Sequence, residues 1–152
     1  MIRTIHHTGL ATPDLDRAIR FYCDLFGFEQ IARFSRPPGS PGMDAMLDLP
    51  GVGFEAALLR LGRTLIEVFQ FSAPEPVRAP ERRRVCDPGL THLCFQVDDV
   101  KAEYERLSAA GMRFHCPPQV GDGATFVYGR DPDGNAIELI EFEGAANPLS
   151  AC

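Results

Sequence analysis

Two stretches of this chain repeat each other, and then two more do. His7-Thr8-Gly9-Leu10-Ala11-Thr12-Pro13-Asp14-Leu15 aligns with His92-Leu93-Cys94-Phe95-Gln96-Val97-Asp98-Asp99-Val100, so in both a His stands seven residues before an Asp that an apolar residue follows. Further on, Thr64-Leu65-Ile66-Glu67-Val68-Phe69-Gln70-Phe71 aligns with Asn135-Ala136-Ile137-Glu138-Leu139-Ile140-Glu141-Phe142, sharing Ile-Glu, an apolar pair and a closing Phe. The order of the pairs is the same in both halves. A repeat of this kind reads as a duplicated supersecondary unit, too small to bury its apolar face comfortably alone.

The local patterns give both halves the same element order. After Pro13, Asp14 can cap a helix whose apolar positions Leu15, Ala18, Ile19, Tyr22, Leu25 and Phe26 follow helical spacing, and Gly27 ends it. In the second half Asp98 or Asp99 can cap, Val100, Tyr104 and Leu107 form the stripe, and Gly111 stops it. Strand-like runs cover residues 4–11, 28–34, 54–61, 65–71, 90–97, 112–116, 124–128 and 136–142. Each half is therefore βαβββ and the class is α+β. The modules span 1–71 and 89–144, joined by a Pro- and Arg-rich linker at 72–88 and followed by a tail at 145–152, the whole forming one composite domain. Asp131-Pro132-Asp133-Gly134-Asn135 has Pro and Gly where a tight turn between strands requires them. Residues 36–53, with the run Pro37-Pro38-Gly39-Ser40-Pro41-Gly42, read as a mobile loop of the sort that covers a substrate.

Composition narrows the function classes. With 45% hydrophobic and 24% charged residues among 152, the chain can bury a core without a disulfide scaffold. A formal charge of -6, from 15 Lys+Arg against 21 Asp+Glu, argues against nucleic acid as a partner, because phosphate-backbone binding needs a basic face. The five cysteines include no C-x-x-C pair and are odd in number, which fits a reducing cytoplasm better than a closed disulfide set. No run of about 18 apolar residues is present, so a membrane span is not expected, and neither is a secretion signal.

Strand alternation then selects candidate chemistry. In 90–97, Leu93, Phe95 and Val97 form one apolar face and leave His92, Cys94 and Gln96 on the other. His7 occupies the matching place in the first half. Glu67 and Glu138 sit inside apolar strands, where an unpartnered carboxylate would cost several kcal/mol, so each requires a cation partner. Arg or Lys can meet that need, but two His and two Glu also make the nitrogen and oxygen set that suits Zn, Ni, Co, Mn or Fe(II), and the residues do not distinguish among these.

The His7-x6-Asp14 entry with Phe21-Tyr22 and Leu25-Phe26-Gly27-Phe28, the second His92-x6-Asp99, and the ending Asp131-Pro132-Asp133-Gly134-Asn135-Ala136-Ile137-Glu138-Leu139 together resemble the vicinal oxygen chelate superfamily. That superfamily includes glyoxalase I, methylmalonyl-CoA epimerase, extradiol dioxygenases, and fosfomycin and bleomycin resistance proteins. The resemblance spans about residues 2–143. It implies tandem βαβββ modules in a cupped, mostly antiparallel sheet with helices outside, and one divalent metal per chain held by His7, Glu67, His92 and Glu138. It also implies a homodimer acting on a small molecule.

Within the superfamily, extradiol dioxygenases resemble the chain at His7, His92 and Glu138 but leave the fourth position without a ligand, and Glu67 fills it here. That favours a glyoxalase-type isomerase, epimerase or lyase, in which the metal chelates vicinal substrate oxygens and stabilises an enolate, with Glu138 or Glu67 as base. The alternatives are an Fe(II) ring-cleaving dioxygenase, supported by Tyr128 as a substrate-binding tyrosine ten residues before Glu138, and a non-catalytic ligand-binding or resistance protein. Ala11 stands where glyoxalase I has its glutathione-binding arginine, four residues after the first ligand. Glu141 is a weaker base candidate, expected on the face opposite Glu138 as a solvated rim charge. His6 and His115 read as structural, and Arg78, Arg82, Arg83 and Arg84 as a solvated linker cluster able to meet a substrate carboxylate or phosphate.

Overall fold

A computed structural model describes residues 1–77, 83–144 and 147–148. The chain divides into two compact units, Met1–Arg78 and Ala79–Cys152. In the first, β1 (Thr8–Ala11) leads to α1 (Leu15–Arg20), a π-helical turn (Phe21–Leu25), β2 (Glu29–Arg36), α2 (Pro41–Leu47), β3 (Gly53–Leu61) and β4 (Thr64–Ala73). In the second, β5 (His92–Gln96) leads to α3 (Val100–Ala109), β6 (Arg113–Phe114), β7 (Gln119–Gly121), β8 (Ala124–Arg130) and β9 (Ala136–Phe142). The sheets have the same plan: β1-β4-β3-β2 in the first unit, and β5-β9-β8-β6 in the second with β7 also on β8. In each, the outer first strand runs parallel to the last and every other pairing is antiparallel. This is the α+β arrangement of repeated βαβββ modules expected from the sequence.

Helix starts follow the expected caps. The Asp14 carboxylate accepts from Arg17 N at 3.0 Å and the Asp99 carboxylate from Ala102 N at 2.9 Å. Gly27 and Gly111, at φ 73° and 94°, let the chain leave each helical segment in the left-handed region. α1 packs on β3 and β4, and its Leu15 and Ala18, like Tyr22 of the π-helical turn, are buried, as are Leu59, Ile66 and Val68 on those strands. α3 packs on β6, β8 and β9, and Val100 and Leu107 are buried in its unit along with Val127, Ile137 and Leu139. Each such buried aliphatic side chain contributes about 1.5–3 kcal/mol. At Gly129 an added Cβ would lie 2.7 Å from Met112 Cε and 3.0 Å from the Arg113 carbonyl oxygen, so the backbone of β8 can pass β6 there only without a side chain.

Two local expectations are corrected, and one element is added. Residues 4–7 are not strand, and β1 begins at Thr8, where its ladder with β4 begins. Residues 36–53 are not an open loop. Pro41 starts α2 at a position where its missing N–H costs nothing, and the Asp44 carboxylate receives Gly51 N at 2.8 Å and Val52 N at 2.9 Å, tying down the segment that follows. The short β7 was not anticipated. Among the described residues no helix is long and apolar enough to cross a membrane.

Candidate metal centre

The register of the parallel pairs builds a His–Glu couple in each unit. Gly9 lies opposite Glu67 and Cys94 opposite Glu138, so in both units the glutamate pairs with the residue two positions after the histidine. Alternation turns the Glu67 and Glu138 side chains to the sheet face away from the helix. His7 Nε2 is 3.2 Å from Glu67 Oε2, and His92 Nε2 is 3.0 Å from Glu138 Oε2. Each carboxylate thus has a histidine ring nitrogen within hydrogen-bond reach. The glutamate side chains keep 18% and 13% of their surface exposed, which leaves these pairs accessible.

The donor spacing suits an ion. Two nitrogen or oxygen ligands at about 2.0–2.2 Å from a divalent metal, seen from it at roughly 90–110°, lie roughly 2.9–3.4 Å apart. Both couples have that separation. One histidine ring has a neighbour that can orient it for ligation. Metal binding at Nε2 requires a proton on Nδ1, and Thr91 Oγ1 lies 2.7 Å from His92 Nδ1, ready to accept it. In the first unit the neighbour of His7 Nδ1 is His6 Nδ1, at 2.8 Å. Of the four sequence-selected residues, the fold joins His7 to Glu67 and His92 to Glu138. Among the described residues no three of His, Cys, Asp and Glu gather closely enough to hold an ion.

The surroundings of the two couples differ. On the Glu67 face of the first unit, Phe34, Phe69 and Phe71 pack against the cluster of Val52, Phe54 and Ala56, with Met43 and Leu49 from α2 and the segment after it. In the second unit Tyr128 lies opposite Glu138 on β8, and its ring meets His92 edge-on at a centroid distance of 5.2 Å. Burial, with a hydrogen bond to Glu138 and the charge of that carboxylate, pushes the Tyr128 hydroxyl up to about 12. Crowding of the sulfur, followed by the charge of Glu138 and a hydrogen bond to it, pushes the Cys94 thiol up to about 12 as well. Because Cys94 is exposed by accessible surface, the nearby carboxylate is the firmer of these causes.

The remaining candidates fall elsewhere. Glu141 is on the helix face as alternation required, but it is not a solvated rim charge. Its Oε2 receives Val100 N at 2.9 Å and so fixes the start of α3. Gln70, its counterpart in the repeat, receives Leu15 N at 2.8 Å through Oε1. This matched pair of helix anchors was missed, although the repeat alignment placed Gln70 against Glu141. His115 follows β6, and its backbone N–H binds the Tyr128 carbonyl oxygen at 2.8 Å. Its ring Nε2 accepts from Arg130 Nε at 3.0 Å. Arg83 donates to the carbonyl oxygens of Pro88 and Leu90, and Arg84 pairs with Asp87 at 2.7 Å. Arg78 and Arg82 lie outside the described residues.

Comparison with known proteins matches residues 4–139 to the sequence model of the Glyoxalase/Bleomycin resistance protein/Dioxygenase superfamily. The chain is similar to a 2-epi-5-epi-valiolone epimerase from an Actinomyces species, at 33% identity over 93% of this chain and 81% of the relative. It is also similar to a lactoylglutathione lyase from Haemophilus influenzae, at 29% identity over 95% and 97% of the two chains. A crystal structure of a glyoxalase-family protein from Bacillus cereus superposes with a TM-score of 0.83 over 95% of this chain and 97% of that one, at 21% identity.

Proposed function

Because the chain belongs to the glyoxalase/bleomycin resistance/dioxygenase superfamily, we propose that it is a divalent-metal-dependent isomerase, epimerase or lyase acting on a small substrate with two adjacent oxygens. The observation that carries this reading is the construction of one His–Glu couple per unit at the same strand register, with ligand spacing in both. His7, Glu67, His92 and Glu138 would hold one ion, and the chain would work as a homodimer. An ion held by these residues would supply Lewis acidity to two vicinal substrate oxygens.

The protein's own groups do the rest. Glu67 and Glu138 are the carboxylates in reach of a substrate at the couples, and either Oε can take the carbon-bound proton and return it. The Tyr128 hydroxyl, protonated at neutral pH and on the Glu138 face, can donate to a substrate oxygen. Phe69, two residues along β4 from Glu67 and on the same face, offers an apolar contact for the substrate's carbon skeleton. The names of the relatives, an epimerase and a lactoylglutathione lyase, support proton-transfer chemistry. Ala11 removes the cation that would hold glutathione, which favours a substrate without it.

The test is deuterium incorporation followed by proton NMR, with the protein reconstituted with Ni, Zn, Co or Mn and offered 2-oxo acids, acyl-CoA esters and thiohemiacetals in D2O. Metal-dependent exchange at the carbon beside the oxygens, lost in Glu67→Gln/Glu138→Gln, is expected. The contact between Tyr128 and His92 supports a second reading, an Fe(II) ring-cleaving dioxygenase. Oxygen uptake with catechols and no exchange would replace the first reading with that one.

A further inference from the structure

The first unit carries an element that the second builds differently. Between β2 and β3 stands the helix α2, whereas the corresponding stretch of the second unit, between β6 and β8, holds the three-residue strand β7. None of the seven residues of α2 is fully buried. Its Met43, with Leu49 just after it, packs on the cluster of Val52, Phe54 and Ala56, while Met46 and Leu47 are exposed. Two fastenings hold the segment down. The Asp44 carboxylate receives the N–H groups of Gly51 and Val52, and Pro38 lies against Gly53, where an added Cβ would come 2.7 Å from its ring carbons. A helix fastened at a few points, with no buried residue of its own, is the kind of element that opens locally before the rest of a fold.

Beneath it is an aromatic face that runs up to Glu67. Alternation brings Glu67, Phe69 and Phe71 to one face of β4. Phe69 and Phe71 stack at a centroid distance of 5.6 Å, Phe54 meets them at 5.2 and 5.8 Å, and Phe34 adds a fourth ring 6.4 Å from Phe54. Phe34, Phe69 and Phe71 all keep part of their surface exposed. Toward β1 the floor is made of small residues: Gly9 lies opposite Glu67 and Ala11 opposite Phe69, and both are exposed. A Cβ on Gly9 would come 3.9 Å from Phe69 Cε2, so the edge of that ring reaches over Gly9, beside the carboxylate. Residues two apart on one strand face stand about 7 Å from each other, a gap that one ring-sized group bridges.

We propose that this aromatic face is a specificity pocket: it takes a ring-sized apolar group carried next to the substrate's adjacent oxygens, and the segment from Pro38 to Val52 is the cover that opens to admit that group and closes over it. This rests on the substrate reading above and names its class, an aryl-bearing compound with two vicinal oxygens rather than a short polar one.

The experiment is isothermal titration calorimetry of the full-length protein, metal-free and Ni-loaded, with phenylpyruvate and with pyruvate, which differ by one phenyl ring. Circular dichroism confirms that each variant folds. Phenylpyruvate should bind about 10–100-fold more tightly than pyruvate in either sample, the ratio that burial of one ring gives. It should also slow amide exchange at Gly51 and Val52, and pyruvate should not. Phe69→Ala removes the wall, and Gly9→Val fills the floor at a position whose backbone any residue can adopt. Each should cut the preference to below about 3-fold, because the ring then loses most of its burial. Equal affinities in the wild type, no binding of either acid, or a preference that survives both variants would overturn the pocket. Ni uptake is read separately, so a chain that prefers phenylpyruvate and takes up no Ni would keep the pocket and lose the metal reading.

Discussion

Glu138 and Glu141 are three residues apart on one strand and have unrelated roles. Alternation sends Glu138 to the face it shares with His92 and Glu141 to the helix face, where it receives the N–H of Val100. The separation of faces was legible in the sequence. The anchoring role was not, because it depends on where α3 begins relative to β9. A helix N-terminus left with an unpaired N–H costs about 1–3 kcal/mol. Glu141→Ala and Gln70→Ala should each lower unfolding free energy by about that amount in urea titrations, with metal affinity unchanged, whereas Glu141→Gln should recover most of the loss. At Cys94, the raised thiol stays protonated up to about pH 12, and only the thiolate attacks an alkylating agent. At pH 8 iodoacetamide should therefore label the exposed Cys86 well before Cys94, as peptide mass mapping would reveal. Labelling of Cys94 first would mean that Glu138 does not govern it.

At the scale of elements, periodicity found what has a period. The apolar stripes of α1 and α3 and the alternating runs of β3, β4, β8 and β9 appear close to their expected places, and β9 coincides with residues 136–142. Two elements escaped, and one strand starts later than expected. β7 is three residues long and has no pattern to detect. Residues 4–7 look like a strand, but the β1–β4 ladder runs from Thr8↔Ile66 to Ala11↔Phe69. α2 was hidden by the prolines and glycines around it, although Ser40-Pro41 followed by Met43, Met46 and Leu47 is a helix start with an apolar stripe. Asp44 holds this segment by two backbone bonds. Asp44→Ala should cost about 1–2 kcal/mol of stability and raise amide exchange at Gly51 and Val52, measurable by hydrogen–deuterium exchange. Asp44→Asn, which keeps an acceptor, should cost less. The turn before β9 behaved as expected, with the buried Asp131 accepting from the backbone of Asp133 and Asn135 at 2.9 and 2.8 Å.

For the molecule as a whole, the repeat was the informative signal, since it named four residues at two equivalent positions, and the structure pairs them two and two. What it hid is the difference between the halves. Aligning the copies compares residues along the strands, whereas the donors beside Glu138 come from neighbouring strands. Tyr128 corresponds in register to Leu58 and Cys94 to Gly9, and this asymmetry became visible only once the strands were paired. The charge of -6 gains a meaning in the proposed account, in which two of the carboxylates are neutralised by a divalent cation. Metal analysis of the purified protein after titration with Ni or Zn and removal of excess tests that account most directly. It predicts close to one ion per chain, a rise in melting temperature on loading, and loss of both in a variant carrying His92→Ala with Glu67→Gln. A wild-type chain that retains no ion and whose melting temperature no divalent metal shifts, or a double variant that binds as well as wild type, would contradict it.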